Sequence, residues 1–168
     1  INVTELIEEM GAAIAAYTDD HNYVDPLMIG IKTGGAWVAK RLHQQLGYTD
    51  PLGELNIAFY RDDFSTVGMH PQVSPSQLPV DISGRHIILV DDVLYTGRTI
   101  RAAMNEIFDY GRPATITLAV LIDRGARELP IQADIIGKTI ILKEGEHVKL
   151  SGPEPLAISL GTETKNNG

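Results

Sequence analysis

Cysteine is missing from this chain of 168 residues. Its absence excludes disulfide bonds, a thiol nucleophile and a cysteine-ligated zinc site. The five histidines stand at positions 21, 43, 70, 86 and 147, without the close pairing of a histidine metal site. We therefore expect no metal site built from these two residue types.

Long apolar runs and clustered positive charge are also missing. No apolar run reaches the roughly 18 residues that a membrane helix needs. The chain carries 14 lysines and arginines against 22 acidic residues, a net charge of −8, and none of these basic residues precedes Lys32. Nucleic acids are bound through clustered lysine and arginine, so this balance argues against a nucleic-acid partner. The sequence favours a single cytoplasmic domain without membrane contact.

The most informative stretch runs from Ile87 to Thr99 and reads Ile-Ile-Leu-Val-Asp-Asp-Val-Leu-Tyr-Thr-Gly-Arg-Thr. Its four leading β-formers predict a strand that is buried on both faces. Apolar residues recur at helical spacing after Thr99, which predicts a helix. We therefore predict a strand-to-helix loop from Asp91 to Thr99, at the carboxyl edge of a parallel sheet, where ligands bind.

This loop combines a turn suited to phosphate with two carboxylates. The backbone N–H groups around Gly97 and the positive end of the helix dipole form a cradle for phosphate. The carboxylates of Asp91 and Asp92 repel a phosphate, so they face ribose hydroxyls or a hydrated magnesium ion. The pattern predicts a sugar-phosphate ligand. A strand followed by two acids also occurs in phosphoacceptor domains, and a Thr-Gly turn can simply open a helix. The glycine motifs of dinucleotide and Walker-type sites do not occur.

Helices and strands alternate along the rest of the chain. Apolar spacing predicts a first helix through Val3 and Ile14, a second that ends at Gly47, and a third from Ile100 to Ile107. The predicted strands cover residues 27–31, 55–60, 87–90, 116–122, 134–136, 139–142, 147–150 and 156–160. This alternation predicts an α/β fold with a mainly parallel twisted sheet flanked by helices.

Three segments carry a resemblance to a known family. They are Val90 to Thr99, then Asp-Tyr-Gly-Arg-Pro from Asp109, and Asp-Arg-Gly-Ala-Arg-Glu-Leu-Pro-Ile from Asp123. The first resembles the phosphoribosyl diphosphate (PRPP) signature of type I phosphoribosyltransferases. Together they resemble the PyrR family of pyrimidine-operon regulators with uracil phosphoribosyltransferase activity. The likeness extends from about Ile29 to Gly137.

The resemblance implies the type I phosphoribosyltransferase fold, with a small hood, a mobile lid loop at residues 61–79, and magnesium bound together with PRPP. One domain would cover residues 1–160, followed by a tail at 161–168. The implied PRPP-binding residues form two loops: Lys32, Thr33, Gly34 and Gly35, and Val90, Asp91, Asp92, Val93, Leu94, Tyr95, Thr96, Gly97, Arg98 and Thr99. A cis peptide bond between Lys32 and Thr33 is implied as well. Relatives often carry arginine where this chain has Gly34.

The resemblance also implies roles in catalysis and base binding. Asp91, Asp92 and Arg61 are the expected catalytic residues, and Arg127, Ile136 and Gly137 the expected base-binding residues. The implied reaction converts uracil and PRPP into UMP and diphosphate, in a homodimer or higher homo-oligomer. The alternative is an RNA-binding attenuator that senses UMP or UTP, with secondary enzyme activity. A third possibility is a purine-specific transferase on the same scaffold.

Against the attenuator stands the charge of the first helix and its surroundings. Attenuators of the family usually carry basic residues there, whereas this chain has six acidic ones: Glu5, Glu8, Glu9, Asp19, Asp20 and Asp25. A basic face would have to be assembled in an oligomer from dispersed residues: Lys40, Arg41, Arg112, Lys143 and Lys149.

Overall fold

The structure is a computed structural model that describes residues 1–57 and 76–162. Its helices are α1 (Val3–Asp20), α2 (Gly34–Leu46) and α3 (Arg98–Tyr110). Its strands are β1 (Leu27–Ile31), β2 (Gly53–Leu55), β3 (His86–Leu94), β4 (Thr115–Asp123), β5 (Ile135–Thr139), β6 (Glu146–Ser151) and β7 (Ala157–Thr162). Among the helices described, none has the length and hydropathy to cross a membrane.

The first five strands form one parallel sheet with the order β2-β1-β3-β4-β5. Along β3 the side chains alternate between two cores: Ile88 and Val90 pack with α1 and α2, whereas Ile87 and Leu89 pack with α3. The sheet is therefore covered on both faces, which explains the uninterrupted apolar run of β3. This arrangement confirms the predicted α/β fold.

The antiparallel pair β6–β7 forms a separate small sheet. Its connecting segment packs on the first half of α2, where the backbone of Gly152 lies close to the Trp37 ring. An ion pair of 3.6 Å between Arg41 and Glu154 adds a second contact with α2. This small sheet lies on the face of the main sheet that α2 covers, since Leu150 of β6 packs in the same core as α2.

Several predicted boundaries were wrong. The acidic pair does not belong to a loop, because β3 continues through Asp91 and Asp92 to Leu94 while it pairs with β4. The two short strands predicted around Gly137 are one strand, β5, which pairs with β4 from Ile135 to Thr139. Strand β7 includes Gly161 and Thr162, where we predicted a tail.

The strand predicted at residues 55–60 begins and ends too late over its described part, since β2 covers Gly53–Leu55 and residues 56 and 57 lie outside any strand. Residues 58–60 lie outside the described residues. The backbone N–H of Asn56 donates to Ser76 Oγ at 2.8 Å. An isolated antiparallel bridge joins Glu54 to Gln77, so the segments before and after residues 58–75 are hydrogen-bonded to each other. Arg61 and most of the predicted lid lie outside the described residues.

Candidate functional site

The acidic end of β3 lies directly against the start of α2. A Cβ atom built on Gly34 would overlap the Asp92 carboxylate. A Cβ on Gly35 would lie 2.8 Å from the Val90 carbonyl oxygen and 2.9 Å from Asp91 Cα. The two glycines therefore allow the backbone of one predicted PRPP loop to touch the carboxylates of the other, and the structure brings both loops to one place.

The loop before α2 presents backbone N–H groups to this cleft. The peptide bond between Lys32 and Thr33 is cis, as the resemblance implies. Thr33 is the N-cap of α2 but makes no side-chain capping bond, and the first N–H groups of a helix have no partner within the helix. Lys32 Nζ lies 3.6 Å from Glu54 Oε2. The loop thus combines helix N–H donors with one ammonium group, which suits an anion.

The loop between β3 and α3 encloses a cavity of about 80 Å³. Its lining residues are Asp91, Val93, Leu94, Tyr95, Thr96, Gly97, Thr99 and Ile100. Complete small-molecule sites usually occupy about 300–1,000 Å³, so this cavity has room for a group such as one phosphate but not for a whole substrate. Gly97, the N-cap of α3, has φ +93°.

The segment after β4 supports this loop from one side. Thr96 O accepts hydrogen bonds from Glu128 N at 2.9 Å and from Leu129 N at 3.0 Å. A Cβ on Gly97 would come within 2.9 Å of the Ile131 side chain. Arg124 stacks on the Tyr95 ring, with its guanidinium carbon 3.9 Å from the ring centroid. The loop and the segment therefore form one packed unit.

Arg127, an expected base-binding residue, is engaged within the protein. Its guanidinium donates to the carbonyl oxygens of Ile131, Tyr95 and Gly125 and to Asp123 Oδ2. The hydrogen bond from Arg127 lowers the pKa of Asp123, although partial burial of the carboxyl group opposes the shift. Asp123 is therefore ionised at neutral pH.

The other expected base-binding residues lie on β5. Ile136 is 40% exposed and pairs with Val120, which pairs with Asp91. By strand spacing it lies roughly 10 Å from Asp91, on the same row of the sheet. Gly137 is packed tightly, since its Cβ would lie 2.5 Å from the Leu121 carbonyl oxygen. It contributes backbone only.

Sequence reasoning missed Glu54 and Asp123. Glu54 meets Lys32 because β2 pairs in parallel with β1, which no local pattern reveals. Asp123 and Arg127 stand four residues apart, but that spacing signals an ion pair only on a helix, and here it joins the end of β4 to the segment that follows. Within the described residues, no group of three histidine, aspartate or glutamate side chains forms a metal site. Asp91 and Asp92 nevertheless suit magnesium that arrives with a phosphorylated substrate, because this ion keeps several waters and needs only one or two carboxylates.

Comparison with known proteins gives a consistent result. A model of the phosphoribosyl transferase domain matches residues 2–153. Two relatives named bifunctional protein PyrR, from Nitrosococcus oceani and Pseudomonas fluorescens, are 57% and 55% identical over 162 and 159 residues. The first alignment covers 95% of this chain and 92% of the relative, and the second covers 95% of each.

Solved structures show the same fold. A hypoxanthine-guanine phosphoribosyltransferase from Bacillus anthracis matches with a TM-score of 0.67 at 19% identity, over 84% of this chain and 82% of that chain. A hypoxanthine-guanine-xanthine phosphoribosyltransferase matches with a TM-score of 0.59 at 21% identity, over 82% of this chain and 73% of the other. At these identities the likeness concerns the fold alone.

Proposed function

The chain belongs to the phosphoribosyltransferase family, within the group of bifunctional PyrR proteins, and we propose that it converts uracil and PRPP into UMP and diphosphate. The observation that carries this proposal is the contact of Asp91 and Asp92 with Gly34 and Gly35 beside a phosphate-sized cavity. That arrangement suits a substrate with a phosphate at one end, a ribose in the middle and a second anionic group. Uracil as the base rests on the similarity to PyrR proteins.

The 5-phosphate of PRPP occupies the cavity between β3 and α3 in this proposal. The backbone N–H groups from Thr96 to Thr99 and the N-terminal end of α3 bind it. Gly97 has no side chain to obstruct the approach, and its positive φ favours glycine. This end of the substrate supplies binding energy that orients the reacting carbon.

The ribose lies over Asp91 and Asp92. Their carboxylates accept hydrogen bonds from its 2- and 3-hydroxyl groups and stabilise the positive charge that develops on the ring. The bond between C1 and the diphosphate oxygen breaks with its electron pair on diphosphate. N1 of uracil then forms the new bond to C1 and releases its proton to solvent. Because N1 attacks C1 directly, no covalent enzyme intermediate is needed.

The diphosphate lies against the start of α2. Lys32 and the N–H groups of Gly34 and Gly35 bind it, and Val90 to Leu94 form the adjoining wall. When bound with PRPP, magnesium would supply positive charge that neutralises this leaving group. Asp92 reaches the loop at Gly34, and its carboxylate is the side chain best placed to hold that ion through water.

The remaining assignments complete the proposal. Arg61 stabilises the diphosphate from a lid at residues 61–79 that excludes water, and the segment from Asp123 to Gly137 receives the base, with Ile136 beside it. PRPP and UMP carry several charges and do not cross membranes unaided, which supports a cytoplasmic location.

We also propose a homodimer or higher homo-oligomer. Phe108 and Tyr110 at the end of α3 are 56% and 48% exposed, and such exposed aromatic residues favour an interface. Sedimentation analysis tests the oligomer, since a monomer at micromolar concentration would contradict it.

Diphosphate release tests the function directly. The protein is incubated with PRPP, magnesium and one free base at a time: uracil, cytosine, hypoxanthine, guanine or adenine. We expect rapid release and UMP formation with uracil alone. Release with a purine instead would show that the enzyme is a phosphoribosyltransferase for a purine rather than for uracil. No release with any base would contradict the proposed enzyme activity.

RNA-dependent regulation is the second candidate, because the similar relatives are named bifunctional. In that case UMP would occupy the same pocket and change the affinity for a pyrimidine-leader RNA. The exposed acidic side chains of α1 oppose such binding.

A further inference from the structure

Arg127 links three parts of the chain. Nε donates to Ile131 O at 2.8 Å, Nη1 to Tyr95 O at 2.9 Å, and Nη2 to Asp123 Oδ2 at 2.7 Å. A guanidinium has five N–H donors in a fixed planar arrangement, so these bonds also fix its orientation. Its side chain is 23% exposed and that of Asp123 is 14% exposed, so the guanidinium is partly buried and held in place.

The bond to Tyr95 O determines where the next N–H points. In a planar trans peptide the carbonyl and the N–H point in opposite directions. Since Arg127 holds the Tyr95 carbonyl, the N–H of Thr96 points away from Arg127. The Thr96 carbonyl is held in the same way by Glu128 N and Leu129 N, which turns the N–H of Gly97 away from that segment.

The lining of the phosphate-sized cavity indicates that the cavity lies away from the segment 124–131, on the side to which these N–H groups point. Its lining includes Tyr95, Thr96 and Gly97 and contains no residue of the segment 124–131. Two successive N–H groups directed to one side form an anion-binding concavity. The hydrogen bonds to the Tyr95 and Thr96 carbonyls thus fix the direction of the N–H donors for the proposed 5-phosphate.

We propose that Arg127 is a positioning residue for the loop between β3 and α3 (the phosphate loop), acting through the Tyr95 carbonyl oxygen, and that it does not contact the base. The inference rests on the proposed function only in naming the phosphate as that of PRPP. Because the charge of Arg127 is paired with Asp123, its effect on phosphate is geometric rather than a long-range attraction.

Arginine variants separate geometry from charge. Arg127→Gln removes the charge and most donors. Arg127→Lys keeps the charge but places its donors on one atom, which cannot reach three separated acceptors. Arg85→Gln is the matched control: Arg85 is also 23% exposed, pairs with Asp50 at 2.5 Å and donates to a backbone carbonyl, that of Asp25. It lies just before β3, at the amino-terminal ends of the strands and so at the end of the sheet opposite the site.

Binding of ribose 5-phosphate, measured by calorimetry without base, is the primary readout. We expect Arg127→Gln and Arg127→Lys to weaken it about tenfold, in line with the loss of a charged hydrogen bond. The KM for PRPP should rise about as much, while the KM for uracil stays within about twofold. Arg85→Gln should lower the melting temperature and leave ribose 5-phosphate affinity within about twofold.

Three results would overturn the inference. Wild-type affinity in Arg127→Lys would mean that the charge acts directly. A rise in the KM for uracil alone would mean that Arg127 contacts the base. Failure of the wild-type protein to bind ribose 5-phosphate would show that the loop between β3 and α3 does not bind the phosphate. If Arg127→Gln does not fold, Arg127→Lys and the isosteric Asp123→Asn carry the same comparison, with weaker binding expected in both.

The proposed function can fail separately. A wild-type protein that binds ribose 5-phosphate but forms no UMP would refute the uracil reaction and leave the role of Arg127 intact. Unchanged ribose 5-phosphate affinity in both Arg127 variants would refute the inference even where UMP is formed.

Discussion

At the residue scale, the neighbouring carboxylates of Asp91 and Asp92 have different surroundings. Asp91 is only 4% exposed, and its Oδ1 accepts from Asp92 N at 2.8 Å, whereas Asp92 reaches Gly34. We predict that replacing both with asparagine lowers kcat by on the order of a hundredfold, because amides do not stabilise positive charge on ribose. Diphosphate release measures the change. Asp109→Asn, at an exposed position of α3, should keep wild-type turnover, and a folded double variant that does so would refute the assignment.

Tyr48 offers a prediction about stability. Its hydroxyl is buried without a hydrogen-bond partner among the described residues, and burial raises its pKa to about 12. Tyr48→Phe removes a polar group that lacks a partner, so its free energy of unfolding at pH 8 should equal or exceed that of the wild type, by up to about 1 kcal/mol.

The same phenol gives a pH dependence. Between its ordinary pKa of 10 and about 12, the folded protein keeps the proton that the unfolded chain releases, so this contribution to stability falls as the pH rises. Urea unfolding at pH 8 and 11 should show a larger loss for the wild type than for Tyr48→Phe. Tyr110→Phe, at an exposed position, should behave like the wild type, and equal losses in all three proteins would contradict the prediction.

At the scale of elements, the site depends on the contact between the start of α2 and the end of β3. A Cβ at position 34 would overlap the Asp92 carboxylate. We predict that Gly34→Ala turns this carboxylate away and raises the KM for PRPP by about tenfold or more, with little loss of stability. Steady-state kinetics and thermal melting measure both effects.

A second glycine provides the control for this contact. Gly84→Ala lies where no other heavy atom comes within 4 Å of the new Cβ, but its φ is +73°. This variant should lose stability because of its backbone conformation while its KM for PRPP stays unchanged. If Gly34→Ala also keeps the wild-type KM, the contact between the two elements has no role in binding PRPP.

At the scale of the whole molecule, the distribution of charge decides between enzyme and regulator. Glu5, Glu8 and Glu9 are exposed on α1. The basic residues are dispersed, with Lys40 on α2 and Arg112 after α3, which pack on opposite faces of the sheet. We predict that a pyrimidine-leader RNA binds no more tightly than roughly 10⁻⁴ to 10⁻⁶ M at physiological salt, the range of non-specific contact.

Filter binding at two salt concentrations, with and without UMP, measures this affinity. A scrambled RNA of equal length serves as the control and should bind equally. Submicromolar, sequence-specific binding that UMP strengthens and that Arg112→Gln or Lys149→Gln weakens would contradict the prediction. It would mean that an oligomer assembles a basic face from these exposed residues.

The sequence by itself determined the features that depend on neighbouring residues. The apolar run from Ile87 to Val90 predicted a strand covered on both faces, and helical spacing predicted α1 and α3, because strand and helix periodicities are local. The C-cap at Gly47, with φ +65°, followed from glycine's access to left-handed backbone. Contiguous motifs likewise predicted the two loops that we propose bind PRPP.

Only the tertiary structure decided the features that depend on pairing between distant segments. The extension of β3 to Leu94 follows from its ladder with β4, and the meeting of Lys32 with Glu54 follows from the parallel register of β1 and β2. Arg127 was assigned to the base from its motif, yet its donors reach Tyr95, 32 residues away. A side chain's partners are fixed by packing in three dimensions, so residues far apart in the chain meet without leaving a local signal of their contact.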